Sequence, residues 1–148
     1  MDLDSITKSY DKFLIDYESE FEHALESIIL ENITLADALK NQLQLQMKWE
    51  ILSKRIDAIF HECENIVETS YSSAISSELR DSYKSTTITE AKEFAKSNAD
   101  YLKAKKAFLK IRHTKEEVKG ILETVNSRKY ILNNLTNSIV AGAESTLL

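Results

Sequence analysis

The chain contains no proline and only two glycines, Gly120 and Gly142, in 148 residues. At ordinary usage roughly seventeen of these two residue types together would be expected. Sandwiches, barrels and doubly wound sheets spend such residues at every corner, so all-β and α/β folds are excluded. With 43% hydrophobic and 29% charged residues, the chain is also too apolar to be wholly disordered. What remains is an all-α fold of long helices.

Apolar periodicity places those helices. Ile6, Tyr10, Phe13, Tyr17, Phe21, Ala24 and Ile28 recur at steps of three and four, one stripe of a helix over about 5–30. Asp4 or Ser5 is the expected N-cap. Asn32-Ile33-Thr34 interrupts the pattern, and Thr34 is a suitable cap for a second helix. That helix keeps a strict 3–4 spacing through Leu35, Ala38, Gln42, Leu45, Trp49, Leu52, Ile56, Ile59, Cys63 and Ile66. Such a narrow seam points to a coiled coil, with Trp49 buried on it. Unbroken from 34 to 69 it would run on the order of 54 Å, against a radius of gyration near 15 Å for a compact chain of this size. A partner helix must run alongside, or the chain must self-associate.

Eleven Ser and Thr residues crowd into positions 69–89, which predicts a connection with at most a short helical turn around Ala74–Arg80. Thr87-Ile88-Thr89-Glu90 matches a capping box and should start the last long segment, about 88–141. Its stripe is Ala104, Ala107, Ile111, Thr114, Val118, Ile121, Val125, Arg128, Leu132, Leu135 and Ile139. Gly120 lies inside it, as a kink or a close helix approach. The expected organisation is a single domain: acidic helices over 1–70, a Ser/Thr-rich connection over 71–89, and a basic then apolar helical region over 90–148. The helices would form an elongated hairpin or coiled coil that assembles as a homo-oligomer.

Charge is divided unevenly. Residues 1–80 carry 7 basic and 16 acidic side chains, residues 81–148 carry 12 basic and 8 acidic, and the whole chain is at −5. Such asymmetry suggests two surfaces with different partners. A single cysteine, Cys63, permits no internal disulfide and suits a reducing cytoplasm. The opening MDLDSITKSYDKF has no apolar core of the kind a secretory signal needs, and no apolar run reaches the roughly 18 residues of a membrane span. A cytoplasmic location and no membrane partner are expected.

Catalysis finds little support. His23, His61 and His113 are far apart, and adjacent residues in His61-Glu62-Cys63-Glu64 point to different faces of a helix, so they cannot share a metal. There is no glycine-rich phosphate loop and no recognisable nucleophile arrangement. The expectation is a non-enzyme with no metal and no cofactor. Cys63, on the seam, is best read as a small buried apolar residue.

The lysines are more informative. Lys92, Lys96, Lys103, Lys106 and Lys110 follow steps of 4, 7, 3 and 4, compatible with one helical face. Like charges along one side call for acids or an external polyanion, and a single nucleic-acid strand has phosphates to offer. The competing reading is a solvated face, or one neutralised by the acidic first half. Tyr101 and Phe108 lie nearby, at a spacing that suits packing at least as well as base stacking. Arg128 sits among apolar seam residues and needs a carboxylate or backbone carbonyls. Beyond Glu123 the only charged residues are Arg128, Lys129 and Glu144, so Arg128, Ile131, Leu132, Leu135 and Ile139 are the expected oligomerisation contacts.

Three stretches carry a family resemblance. Met1-Asp2-Leu3-Asp4-Ser5-Ile6 through Phe13-Leu14-Ile15-Asp16 is similar to the opening of the bacteriophage UvsY-type recombination mediators. Thr89-Glu90-Ala91-Lys92 leading to Asn98-Ala99-Asp100-Tyr101-Leu102-Lys103 resembles that family's E-x-K … A-D-x-D-x-L-K stretch. Leu122-Glu123-Thr124-Val125-Asn126-Ser127-Arg128-Lys129-Tyr130-Ile131-Leu132 resembles its L-x-x-I-x-S-R-x-[FW]-x-I run, with Arg128 on the family's arginine. Where the family has a basic K-x-R cluster before a Y-Y-S-G-like turn, this chain has Glu62, Glu64 and Glu68 before Tyr71-Ser72-Ser73, and no glycine. A relative with that departure would bind its strand elsewhere, and the 92–110 lysines are the candidates.

The resemblance implies a small homo-oligomeric ring that binds single-stranded DNA and loads a RecA-like recombinase onto strands covered by single-strand-binding protein. If phage-encoded, it would work in the host cytoplasm. The alternative reading is a protein-binding coiled-coil adaptor or a phage-encoded inhibitor. It would act through the acidic N-terminal helix, whose residues 1–30 hold two lysines against eight acids.

Overall fold

A computed structural model describes residues 2–30, 33–81 and 86–147, with side chains described as far as Gly142. The described residues form helices and no strands: α1 (Leu3–Ser27), α2 (Leu35–Asp81), α3 (Ile88–Ala95) and α4 (Ala99–Leu147). The fold is all-α, as the missing turn residues require.

Local chemistry explains most helix ends. The Asp2 carboxylate accepts the Ser5 amide at 2.8 Å, so α1 is capped by Asp2 and not by the expected Asp4 or Ser5. Hydrogen bonding to Ser5 also holds the Asp2 carboxyl below its ordinary pKa. Thr34 caps α2 by accepting the Asp37 amide at 3.2 Å. Thr87 does the same for α3 from the Glu90 amide at 3.2 Å, the first half of the expected capping box.

Two boundaries differ from the sequence reading. First, α2 does not stop near residue 69 but continues to Asp81. Ala74 is buried and Ser77 bonds outward to Asp81 at 3.1 Å, so hydroxyl groups there decorate a helix that packing has already stabilised. Positions 82–85 of the expected connection lie outside the described residues. Second, the segment 88–141 is not one helix. Ser97 and Asn98 donate back to the Phe94 and Ala95 carbonyls, which tightens the end of α3. The Asn98 side chain then accepts the Asp100 and Tyr101 amides at 3.0 and 3.1 Å, capping α4.

The helices contribute to two compact units. Unit 1 comprises Met1–Phe13 and Arg55–Lys115, and unit 2 comprises Leu14–Lys54 and Glu116–Leu148. In unit 1 the Tyr10 hydroxyl lies 2.7 Å from that of Thr114, tying α1 to α4. Phe60 meets Phe108 with ring centroids 5.0 Å apart, and Tyr71 meets Tyr101 at 5.2 Å, tying α2 to α4 in antiparallel order. Ile6, Phe13, Ile56, Cys63 and Ile111 fill its interior. Burial raises the Cys63 thiol pKa, as befits a packed thiol.

Unit 2 is built on Trp49, fully buried as the seam position predicts. Tyr17 meets it edge-on at 6.0 Å, and Glu20 reaches Lys48 at 3.5 Å, so α1 and α2 run antiparallel with Tyr17 level with Trp49. The Tyr17 hydroxyl donates to Glu117 of α4 at 2.9 Å. The indole N–H of Trp49 has no partner among the described residues, an orphan donor worth about 1–3 kcal/mol of lost stability.

These contacts revise the argument from stripe length. Ala38, Gln42, Leu45, Trp49, Leu52, Ile56, Ile59 and Cys63 of α2 are buried within a single chain, as are Ala104, Ile111, Thr114, Val118, Val125, Arg128 and Leu132 of α4. The partner helices are the chain's own. Past Leu132 the pattern persists in sequence, but Leu135 and Ile139 are 45% and 58% exposed. Only that last part of the α4 stripe still lacks a cover. Gly120 lies within the unbroken span of α4 and marks no close helix approach, because a Cβ there would meet nothing within 4 Å.

Candidate nucleic-acid interface and polar core contact

The five lysines singled out by spacing belong to unit 1, but not to one helix. Lys92 is exposed on α3, and Lys96 caps the end of α3. Lys103, Lys106 and Lys110 are exposed on α4. The break at 96–98 therefore divides the stripe, and continuous helical phasing holds only for the last three. Lys96 is engaged locally: its ammonium is 3.1 Å from Glu93, and that hydrogen bond raises its pKa. Among the described residues no ion pair joins Lys92, Lys103, Lys106 or Lys110 to a carboxylate. Three unpaired ammonium groups on one stretch of helix leave a local positive potential that water and counterions must screen.

Lys103 differs from the other two. It borders an open cleft of about 730 Å³ whose charged walls include Asp2, Asp4, Glu62 and Asp100. Those acids lower the potential at its position, which leaves Lys106 and Lys110 as the better anion contacts. Two further lysines of α4 are engaged with aromatic rings. Lys105 lies 5.2 Å above the Phe108 ring, and Lys115 lies 4.1 Å above Phe60 while facing Asp57 at 3.5 Å. Its phenylalanine partner comes from a distant part of the sequence, so no local signal could have revealed it. Tyr101 and Phe108 are half-buried against α2 aromatics, which makes them packing residues.

Of the five expected assembly residues, two are interior to the chain. Leu132 is 1% exposed and Arg128 3%. Arg128 donates from one terminal nitrogen to the Gln42 side-chain oxygen at 2.8 Å and to the Ala38 carbonyl at 3.3 Å. Gln42 in turn donates to the Val125 carbonyl at 2.8 Å, so one amide side chain bridges α2 and α4 twice. The guanidinium has found carbonyl-type acceptors and no carboxylate. Its remaining Nε and terminal nitrogen have no partner among the described residues, and burial lowers its pKa. Ile131, Leu135 and Ile139 by contrast are exposed, as are their neighbours Tyr130 and Val140.

Among the described residues no group of three or more His, Cys, Asp or Glu side chains could hold a metal ion, and no helix is long and apolar enough to cross a membrane. No protein-family model matches the chain, and neither does a curated protein or a solved structure.

Proposed function

We propose that the protein is a non-enzymatic recombination mediator that binds single-stranded DNA through unit 1 and acts as a homo-oligomer of long, coiled-coil-like helices. The observation that carries the reading is Lys106 and Lys110, with Lys103 beside them on the acidic cleft, exposed on α4 without a carboxylate partner among the described residues. Phosphate contacts from such a face bind every sequence alike, because phosphates carry no base information. The resemblance to UvsY-type mediators supplies the biological setting: loading of a RecA-like recombinase onto strands held by single-strand-binding protein, in the host cytoplasm if the chain is phage-encoded. The uncovered Ile131, Leu135 and Ile139 support self-association.

The test is fluorescence anisotropy of a labelled oligonucleotide across a salt series, with solution mass measured on the same samples. Binding should weaken steeply with salt and be indifferent to sequence. A multimeric mass should accompany it. No binding at low salt would instead favour the second reading, a protein-binding adaptor. That reading rests on α1 of unit 2, where Glu18, Glu22 and Glu26 are exposed and residues 14–27 contain no lysine or arginine.

A further inference from the structure

Unit 2 carries two unexplained outer faces. On α2, Lys40, Leu43, Met47, Ile51 and Lys54 follow steps of 3, 4, 4 and 3, a second stripe turned away from Trp49 and the core. Leu43, Met47 and Ile51 are 67%, 64% and 56% exposed. Scattered exposed apolar residues are ordinary, but three on successive turns of one face, with a lysine at each end, form a patch. On α1, Ile15, Glu18, Glu22 and Leu25 follow steps of 3, 4 and 3, with Glu26 beside them. Ile15 is 70% exposed and Leu25 56%. One stripe is apolar with basic ends, and the other is apolar with acids. The Lys40 end of the first is opposite in charge to the acids of the second.

Register strengthens the match. Within the chain α1 and α2 run antiparallel with Tyr17 level with Trp49. Two copies lying side by side, parallel and with their unit 2 ends level, bring α2 of one against α1 of the next in that same register. Ile51 then falls level with Ile15, and Lys40 with Glu26. An apolar pair and an ion pair coincide without any sliding of one copy along the other. We infer that the outer stripe of α2 is a docking surface for the outer stripe of α1 in a second copy of this chain. The contact joins two different faces, so it is heterologous. It propagates from copy to copy, closing into a ring where the rotation permits.

This inference rests on the homo-oligomeric part of the function proposed above, and it adds a contact separate from the exposed end of α4. Its test uses the full chain with Cys63→Ala. Ile15→Cys and Ile51→Cys are introduced singly and together, and a short bismaleimide is the cross-linker. The double variant should yield a ladder of covalent dimers, trimers and higher species, while each single variant yields none. Cross-linking of a single variant to itself would show a two-fold contact and overturn the proposal. A multimeric mass with no cross-link would also overturn it, leaving homo-oligomerisation through another surface and the DNA-binding reading intact. A monomeric mass would overturn both this contact and the homo-oligomer, with oligonucleotide binding then judged separately. In parallel, Lys40→Glu should weaken assembly about tenfold or more by setting like charges together, and adding Glu26→Lys should restore it. Failure of that restoration in folded protein would overturn the proposed register.

Discussion

Units 1 and 2 use the same three long helices for different ends. Unit 1 holds thirteen basic and twelve acidic residues, and unit 2 holds six basic and twelve acidic. The contrast read along the chain, an acidic first half and a basic second half, is thus redistributed by antiparallel packing. Acidic α1 residues share unit 1 with the α4 lysines, and its near balance is what leaves the local arrangement of Lys106 and Lys110 decisive. Apolar exposure is redistributed as well. Of the seventeen large apolar side chains that stay exposed among the described residues, twelve belong to unit 2. Unit 1 closes its aromatic pairs internally and shows charge. Unit 2 buries a guanidinium and shows hydrocarbon. One helical repeat, continued through both units, thus leaves an exposed lysine face in one and exposed apolar faces in the other.

The comparison is open to direct attack. The largest effect is expected from Trp49→Ala, which removes the fully buried centre of unit 2 and should cost about 3–5 kcal/mol in denaturant unfolding. Hydrogen exchange should show the loss concentrated in residues 14–54 and 116–142. Equal loss throughout unit 1 would mean that the two units do not differ in local stability. Next comes Gln42→Leu, which deprives Arg128 of its best acceptor and should cost about 3 kcal/mol. Pairing it with Arg128→Met should recover most of that loss, since a matched apolar pair needs no acceptor. If the single variant is neutral, the polar contact across unit 2 contributes little.

Gly120→Ala should stabilise by about 1 kcal/mol, because α4 is regular there and the added methyl meets nothing. Destabilisation would reveal a close neighbour, such as another copy. The smallest effect concerns unit 1. The Cys63 thiol has its pKa raised above 9.0 by burial, so the folded state retains its proton longer than the unfolded chain. Its contribution is fully present below about pH 9 and is lost as pH rises through the higher folded value. Cys63→Ala should therefore flatten the alkaline fall in stability seen by urea unfolding between pH 8 and 10, beside a small pH-independent loss from the cavity left by the sulfur. An unchanged alkaline fall in that variant would assign it to other groups.

Much of this was legible in the sequence. The α2 seam from Ala38 to Cys63 coincides with burial, and so does the α4 seam from Ala104 to Leu132 except at half-buried Ala107 and Ile121, because a 3–4 repeat has only one way to face a neighbouring helix. Thr34 and Thr87 were legible as caps because their hydroxyls act within three residues. Interactions between distant residues were not. The expected connection over 71–89 overlaps the last turns of α2, where tertiary packing outweighs the poor helix preference of serine. Local capping by Asn98 divided the lysine stripe, although the spacing of the lysines gave no sign of it. The acceptor of Arg128 lies 86 residues away in Gln42, on a seam position that spacing alone would assign to an apolar residue. Most consequentially, periodicity showed that a partner helix was needed for each stripe but not whose it was, and the chain supplies its own as far as Leu132.

Presentation of the α4 lysines of unit 1 to nucleic-acid phosphates is the step on which the proposed function depends. It is tested most directly by the salt dependence of single-strand binding in the triple variant Lys103→Glu, Lys106→Glu, Lys110→Glu, compared with the unaltered protein. Each phosphate contact contributes about 0.7 to the slope of log affinity against log salt for a single strand. A shallower slope is expected, by about two if all three lysines contact phosphate, and weaker binding to every oligonucleotide sequence, with helicity and solution mass unchanged. The same slope in a folded, assembled variant would contradict it and leave those lysines as a solvated face.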